Sequence, residues 1–417
     1  MQPAPPAQVP GLTPGHLALP RLVSADPDAF AREVWGHEAW LSQAADLPGD
    51  VHDLLDADAV DELVSSRGLR TPFLRVAKNG STLPDRSFTA GGGIGAAVGD
   101  QISDDKLLRL FADGATLVLQ GLHRTWPPLV AFCQQLAAEL GHPVQANAYV
   151  TPPQSQGFDD HYDVHDVFVL QVEGEKRWRI HAPVHEAPLR DQPWTDRRQD
   201  VARAAATEPL LDVVLTPGDC LYLPRGFLHA ATALGAVSTH LTLGVHTWTR
   251  HSLAQQVLDQ ALASLAADPQ VRHSLALGAD VADPTAIADD LELIRGRLLD
   301  AVRDVDAAAV AQRLAAHRLA AQRAAPVAPL AQLREAAALT DDAPLPAGLA
   351  LRAHLLPQLV DEPDGGAVLR SRAGDVRLQA DQVDSVRELL KTGRADDLGS
   401  ALARTLLLTG ILVAPNR

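Results

Sequence analysis

Between about Ala115 and Val245 the hydrophobic residues arrive in short β-branched and aromatic runs, each bounded by Pro, Gly or Asp. They read ATLVLQ, QANAYVTP, DVFVLQV, KRWRIHAP, LDVVLTPGDCLYLPRG and STHLTLGV. Runs of this length and punctuation predict strands, and many of them at close spacing predict a β-sandwich or jelly roll. Upstream, from Asp26 to about Leu110, amphipathic pieces such as DPDAFAREVWGHEAWL (26–41) alternate with turn-rich segments, a mixed α/β lead-in. After Arg250 the period lengthens to near 3.6, and HSLAQQVLDQALASLAA and DLELIRGRLLDAVRDVDAAAVAQRLAAHRLAAQRAA predict long helices. APVAPLAQLREAAALTDDAPLPAG then marks a boundary. Beyond it the pattern predicts a helix over 351–359, a hairpin at AVLRSRAGDVRLQA, helices near 381–391 and 396–408, and the apolar ILVAP. Helices interleaved with a hairpin suggest a winged helix. The expected organisation is a loose arm over 1–25, with six prolines in its first twenty residues, a mainly β domain over 26–250, a helical region over 251–340 and a small α/β unit over 341–417.

A chain of 417 residues with 46% hydrophobic content has ample core for several domains. It opens without the basic start and apolar core of a signal peptide, and no stretch approaches the roughly 20 apolar residues of a membrane span, so a soluble cytoplasmic protein is expected. The two cysteines, Cys133 and Cys220, form neither a disulfide framework nor a CxxC site and read as structural thiols. A net charge of −16 disfavours sequence-independent attraction to nucleic acid and suits a basic protein or peptide partner.

The candidate chemistry begins at HYDVHDV (161–167), with two histidines and two aspartates in seven positions. If the segment is extended, His161, Asp163 and His165 share one face. His161 and Asp163, about 7 Å apart along a strand, can converge on one ion, whereas His165, roughly 13 Å from His161, is too far. Asp166 falls on the opposite face from Asp163 and is expected to support the fold. An HxD pair alone is weak evidence in an Asp-rich chain with 16 histidines. The best third ligand is His229 in LTPGDCLYLPRGFLHAA, where the PRG turn directs the histidine back toward the sheet. Two histidines and one carboxylate make the facial triad with which non-haem iron(II) keeps positions open for cosubstrate and dioxygen.

Alternation along QVEGEKRWRIHAP puts Lys176 on the apolar face with Trp178 and Ile180. A buried ammonium is costly without an anion, so Lys176 suggests a bound carboxylate or an internal acidic partner, against the alternative of a lysine snorkelling to water. In STHLTLGV, Ser238, His240, Thr242 and Gly244 form a polar face of the kind that lines a cavity inside a β-barrel, and Asn147 and Tyr149 offer a further wall.

NAYVTPPQSQG, HYDVHDVFVLQVEGEKRWRIHAP, LTPGDCLYLPRGFLHAA and STHLTLG, in this order and spacing, resemble the JmjC-type ribosomal oxygenases, cupin-like 2-oxoglutarate-dependent protein hydroxylases. The resemblance covers about residues 25–250 by motif and the rest by architecture. It implies a double-stranded β-helix followed by a helical dimerisation region and a winged helix. It implies iron(II) on His161, Asp163 and His229, Lys176 on the distal carboxylate of 2-oxoglutarate, and Thr242 with Asn147 or Tyr149 as secondary pocket residues. It further implies dioxygen as the oxidant and a protein client, expected to be a basic ribosomal protein modified at histidine or arginine. A homodimer without direct nucleic-acid binding is also implied, in keeping with 11 acidic against 9 Lys/Arg residues over 341–417. Two positions depart from the pattern: His165 has no role to inherit, and Gly244 stands where some relatives carry a hydroxyl near the cosubstrate. Hydroxylation of a biosynthetic peptide, lysine demethylation and a metal-binding cupin regulator with a DNA-reading winged helix are the competing readings.

Overall fold

The computed structural model describes residues 18–78, 80–340 and 344–414. Its centre is a nine-stranded antiparallel sheet dominated by two long strands, Asp166–His181 and Leu228–Val245. These pair along their whole length, 228–234 against 175–181 and 239–245 against 166–173, with a register shift between. Gly174 sits at that shift with φ 64°, and a Cβ there would lie 2.1 Å from the Val237 carbonyl oxygen, so only glycine fits the kink. The bend brings the two halves of the sheet face to face. On one side the sheet continues through Cys220–Leu223 to Trp40–Ser42, and on the other through Val144–Thr151 and Thr116–Leu119 to Leu74–Lys78.

Period-two alternation sorts the side chains. Phe168, Leu170 and Val172 point outward into a large core shared with Leu129, Phe132 and Leu136 of the helix Pro127–Leu140, while Val167, Val169, Trp178 and Ile180 face inward. Residues 18–25, read as part of a loose arm, instead dock on this core: Leu22 and Val23 are buried, and the main-chain N–H groups of Ala18 and Leu19 donate to Glu139 at 2.9 and 2.7 Å. The rest of the proposed arm, 1–17, lies outside the described residues. Cys133 and Cys220 are free and buried.

The helical pattern after Arg250 gives Arg250–Leu265, Ala288–Arg303 and Ala307–Ala321, the last two separated at Asp304–Asp306, where Asp306 caps the second by accepting from the Ala309 N–H. The C-terminal unit has its own apolar core. The hairpin appears as Ala367–Ser371 and Gly374–Leu378, joined by Gln358–Asp361 into a three-stranded sheet, with helices Val383–Thr392 and Ser400–Leu408 behind. The helix expected over 351–359 does not form: His354 and Leu356 have φ of 59° and 51°, and the segment divides into Ala350–Leu351 and Gln358–Asp361. Pro357 explains the break, because it disfavours helical geometry in the residue before it. No helix among the described residues is long and apolar enough to cross a membrane.

Candidate metal centre

The segment around HYDVHDV is not a strand up to its end. The strand begins at Asp166, and His161 makes only an isolated bridge, exchanging main-chain hydrogen bonds of 2.8 and 3.2 Å with His229. The Asp163 carbonyl accepts the Gly226 N–H at 3.0 Å, and the Tyr162 hydroxyl donates to the Gln192 carbonyl at 3.0 Å. The loop is therefore pinned on both sides by the Pro224–Gly226 turn and its neighbours, which accounts for its departure from extended pairing.

This pinning gathers His161, Asp163 and His229 so that one potential ligand atom from each lies within 4.8 Å of the others. The two imidazoles are 4.4 Å apart between centroids, and His229 Nε2 is 3.9 Å from Asp163 Oδ2. Nδ1 of His161 lies 2.7 Å from the Asp159 carbonyl and Nδ1 of His229 lies 3.1 Å from the Phe227 carbonyl. A carbonyl only accepts, so both Nδ1 atoms carry the proton and both Nε2 lone pairs are free for a metal, as outer hydrogen bonds orient histidine ligands generally. Burial, with His161 alongside, pushes His229 down to about 4, keeping it a neutral donor. Burial raises the Asp163 carboxyl, but His165, His229 and His161 together hold it below its usual value, so it stays ionised. The donor set fits a divalent non-haem metal with open positions. His165 lies outside the cluster, but not for the reason of strand spacing: its ring is held by stacking on His246, 5.1 Å between centroids.

From the cluster a cavity of about 60 Å³ runs along the inner face past Tyr149, Val169, Trp178 and Thr242 to Lys176. Lys176 is 3% exposed; its Nζ donates to Thr151 Oγ1 at 3.0 Å and lies 3.5 Å from His240 Nδ1. Among the described residues no carboxylate pairs with it, and burial pushes it down to about 7. Tyr149 and Thr242 line the cavity as expected of wall residues. Asn147 does not: its Oδ1 accepts the Gly121 N–H at 3.1 Å, holding the turn before Leu122. His240, expected on the polar cavity face, takes its place there, whereas Thr151 was not singled out from sequence. His240 stacks on Tyr149 at 4.9 Å and meets Trp178 edge-on at 5.3 Å, and Thr151 receives the lysine. Both share faces already marked as polar, Thr151 two positions beyond Tyr149 and His240 two before Thr242.

Residues 125–253, which include the two long strands and the three clustered side chains, match the JmjC domain family. Over part of its length the chain is similar in sequence to ribosomal oxygenases. It is 34% identical to ribosomal oxygenase 1 of Gallus gallus over 230 residues, 55% of this chain and 36% of that protein. It is 47% identical over 104 residues to the bifunctional lysine-specific demethylase and histidyl-hydroxylase NO66 of Drosophila persimilis, 25% of this chain and 14% of that one. The chain thus spans well under half the length of these curated relatives. It shares its fold with ycfD of E. coli at a TM-score of 0.54 and 16% identity, covering 94% of this chain and 98% of that one. A second structure of that protein, described as a ribosomal oxygenase in complex with cobalt and succinic acid, superposes at 0.51 with the same identity and coverage.

Proposed function

We propose that the protein is an iron(II)- and 2-oxoglutarate-dependent hydroxylase of a protein side chain, a histidine or arginine of a basic ribosomal protein. The observation that carries this reading is a two-histidine, one-carboxylate cluster joined through one cavity to a buried lysine without an acidic partner. His161, Asp163 and His229 hold the metal by one face. Lys176, with Thr151 beside it, binds the distal carboxylate of 2-oxoglutarate, and Tyr149, Trp178 and Thr242 wall the cosubstrate and keep water from it. Iron(II), when bound, supplies the dioxygen chemistry; the balance is 2-oxoglutarate, dioxygen and a C–H group giving succinate, carbon dioxide and a C–OH group. Relatives named as histidyl-hydroxylases and ribosomal oxygenases support the reaction class, and the net charge of −16 supports a basic client.

The same reading takes 251–340 as a homodimer contact, supported by the exposed Leu253, Leu258 and Leu262 on the helix Arg250–Leu265. It takes 341–417 as a winged helix that does not read DNA, supported by the slight acidic excess there, and the protein as cytoplasmic. The test incubates the purified protein with iron(II), 2-oxoglutarate and host ribosomal proteins and follows succinate and intact client mass. A client heavier by one oxygen atom is expected; loss of a methyl group would make the enzyme a demethylase. Absence of both products and of any succinate would overturn the proposal.

A further inference from the structure

The strand Leu228–Val245 carries one line of inward positions, His240, Thr242 and Gly244, and His246 follows just past its end. His240 and Thr242 line the small cavity that ends on Lys176. His246 lines a second cavity of about 750 Å³, with Gln145, Val164, Arg190 and Trp248. The His165 ring packs at Gly244, the next position on that line after Thr242, and touches His246 and Gln145 of the second cavity. One face stacks on His246, 5.1 Å between centroids and 7° from parallel, and Nε2 is 3.3 Å from the Gln145 amide nitrogen. Its Cδ2 and Nε2 both lie 2.6 Å from where a Cβ on Gly244 would be. Gly244 in turn is registered against Gln145 on one neighbouring strand and Val167, a wall of the small cavity, on the other.

Heavy atoms do not approach to that distance, so a side chain at 244 would require the ring at 165 to leave its place. Glycine at 244 and histidine at 165 are therefore one feature: the ring fills the notch that the missing side chain leaves, and brings a nitrogen to the inner face where 244 itself offers none. We propose that His165, seated on Gly244, is a positioning residue that closes the end of the small cavity remote from Lys176, holds the metal-chelating end of the cosubstrate against the triad and walls it off from the large cavity. The inference rests on the reaction proposed above.

The test uses the full chain loaded with iron(II) under argon and titrated with 2-oxoglutarate, following the charge-transfer absorption of the ternary complex. His165→Ala and Gly244→Ser are each expected to raise the 2-oxoglutarate Kd about tenfold and to shift the absorption maximum, with iron affinity within about twofold of the parent. In turnover, KM for 2-oxoglutarate rises while kcat at saturation changes by less than about twofold. The double variant, whose serine enters the space the imidazole leaves, returns to within about threefold of the parent Kd. Should Gly244→Ser fail to fold, recovery of the fold in the double variant supports the same coupling. An unchanged Kd in His165→Ala, or a double variant no better than His165→Ala, overturns the inference. Failure of the parent protein to develop the absorption sinks the hydroxylase reading instead, so the two failures are told apart.

Discussion

The fully buried carboxylate of Asp166 accepts the main-chain N–H of Arg225 at 3.1 Å, while the Tyr222 hydroxyl donates to it at 2.7 Å and the Arg225 guanidinium lies 3.3 Å away. It thereby ties the first residue of the long strand after the HxD loop to the turn that delivers His229, from the face away from the metal centre. Removing the carboxylate leaves the Tyr222 hydroxyl and the Arg225 main-chain N–H without their acceptor and the guanidinium with only the Thr247 hydroxyl. Asp166→Ala is expected to cost about 3–5 kcal/mol of stability, and Asp166→Asn about 1–3 kcal/mol. Urea denaturation measures both, and iron affinity should fall in step because Gly226 and His229 lose their anchor. An Asp166→Ala protein as stable as the parent would remove this anchor from the account.

For the triad itself, His161→Ala, Asp163→Ala and His229→Ala are each expected to lose iron on dialysis, whereas the parent retains one iron per chain by metal analysis. Metal that binds only the folded state also stabilises it: at a free concentration about 100 times Kd the gain is about 2.7 kcal/mol. Chelation should therefore lower the melting temperature of the parent and leave that of His161→Ala unmoved. Equal chelator sensitivity in both would place the metal elsewhere.

The strand texture of 115–245, the long helices after Arg250 and the grouping of His161, Asp163 and His229 were legible because period and turn residues are local signals. Three features were not. The HxD residues sit in a loop held by the 224–229 turn, a contact between distant segments that no local period encodes. Asn147 shares its strand face with Tyr149, yet its amide is captured by Gly121, so facing inward did not make it a cavity wall. His165 and Gly244 looked like two separate departures from the resemblance and are one contact, visible only once the strand end is folded against the loop.

Lys176 gives the protein a pH dependence of definite sign. Burial pushes its amine down to about 7, so above that pH the free protein holds it neutral, while a bound carboxylate requires the ammonium form. Binding of 2-oxoglutarate above pH 7 therefore takes up a proton, and affinity falls as pH rises, by up to about tenfold per unit. Calorimetry in buffers of different ionisation enthalpy should register that uptake at pH 8 and lose most of it at pH 6. Lys176→Met should bind at least about 100-fold more weakly and lose the proton uptake. Affinity independent of pH between 6 and 8.5 would assign the distal carboxylate to another group.

The C-terminal unit provides the last test, because its apolar core is separate from that of the β domain. Leu406 is fully buried in it, with Leu369, Val386 and Ile411. Just ahead of it, the end of the helical region is tied to the β domain by polar contacts: the Gln134 amide donates to the Arg323 carbonyl at 3.1 Å, and the Gln322 amide donates to the Val144 carbonyl at 2.8 Å. Leu406→Ala should therefore cost about 2–5 kcal/mol within the C-terminal unit alone. Hydrogen exchange should accelerate over 358–412 while 144–245 keeps its protection and the iron and 2-oxoglutarate affinities stay within about twofold of the parent. If protection falls equally in both regions, the polar links couple them into one cooperative structure, and the active site depends on a core it does not touch.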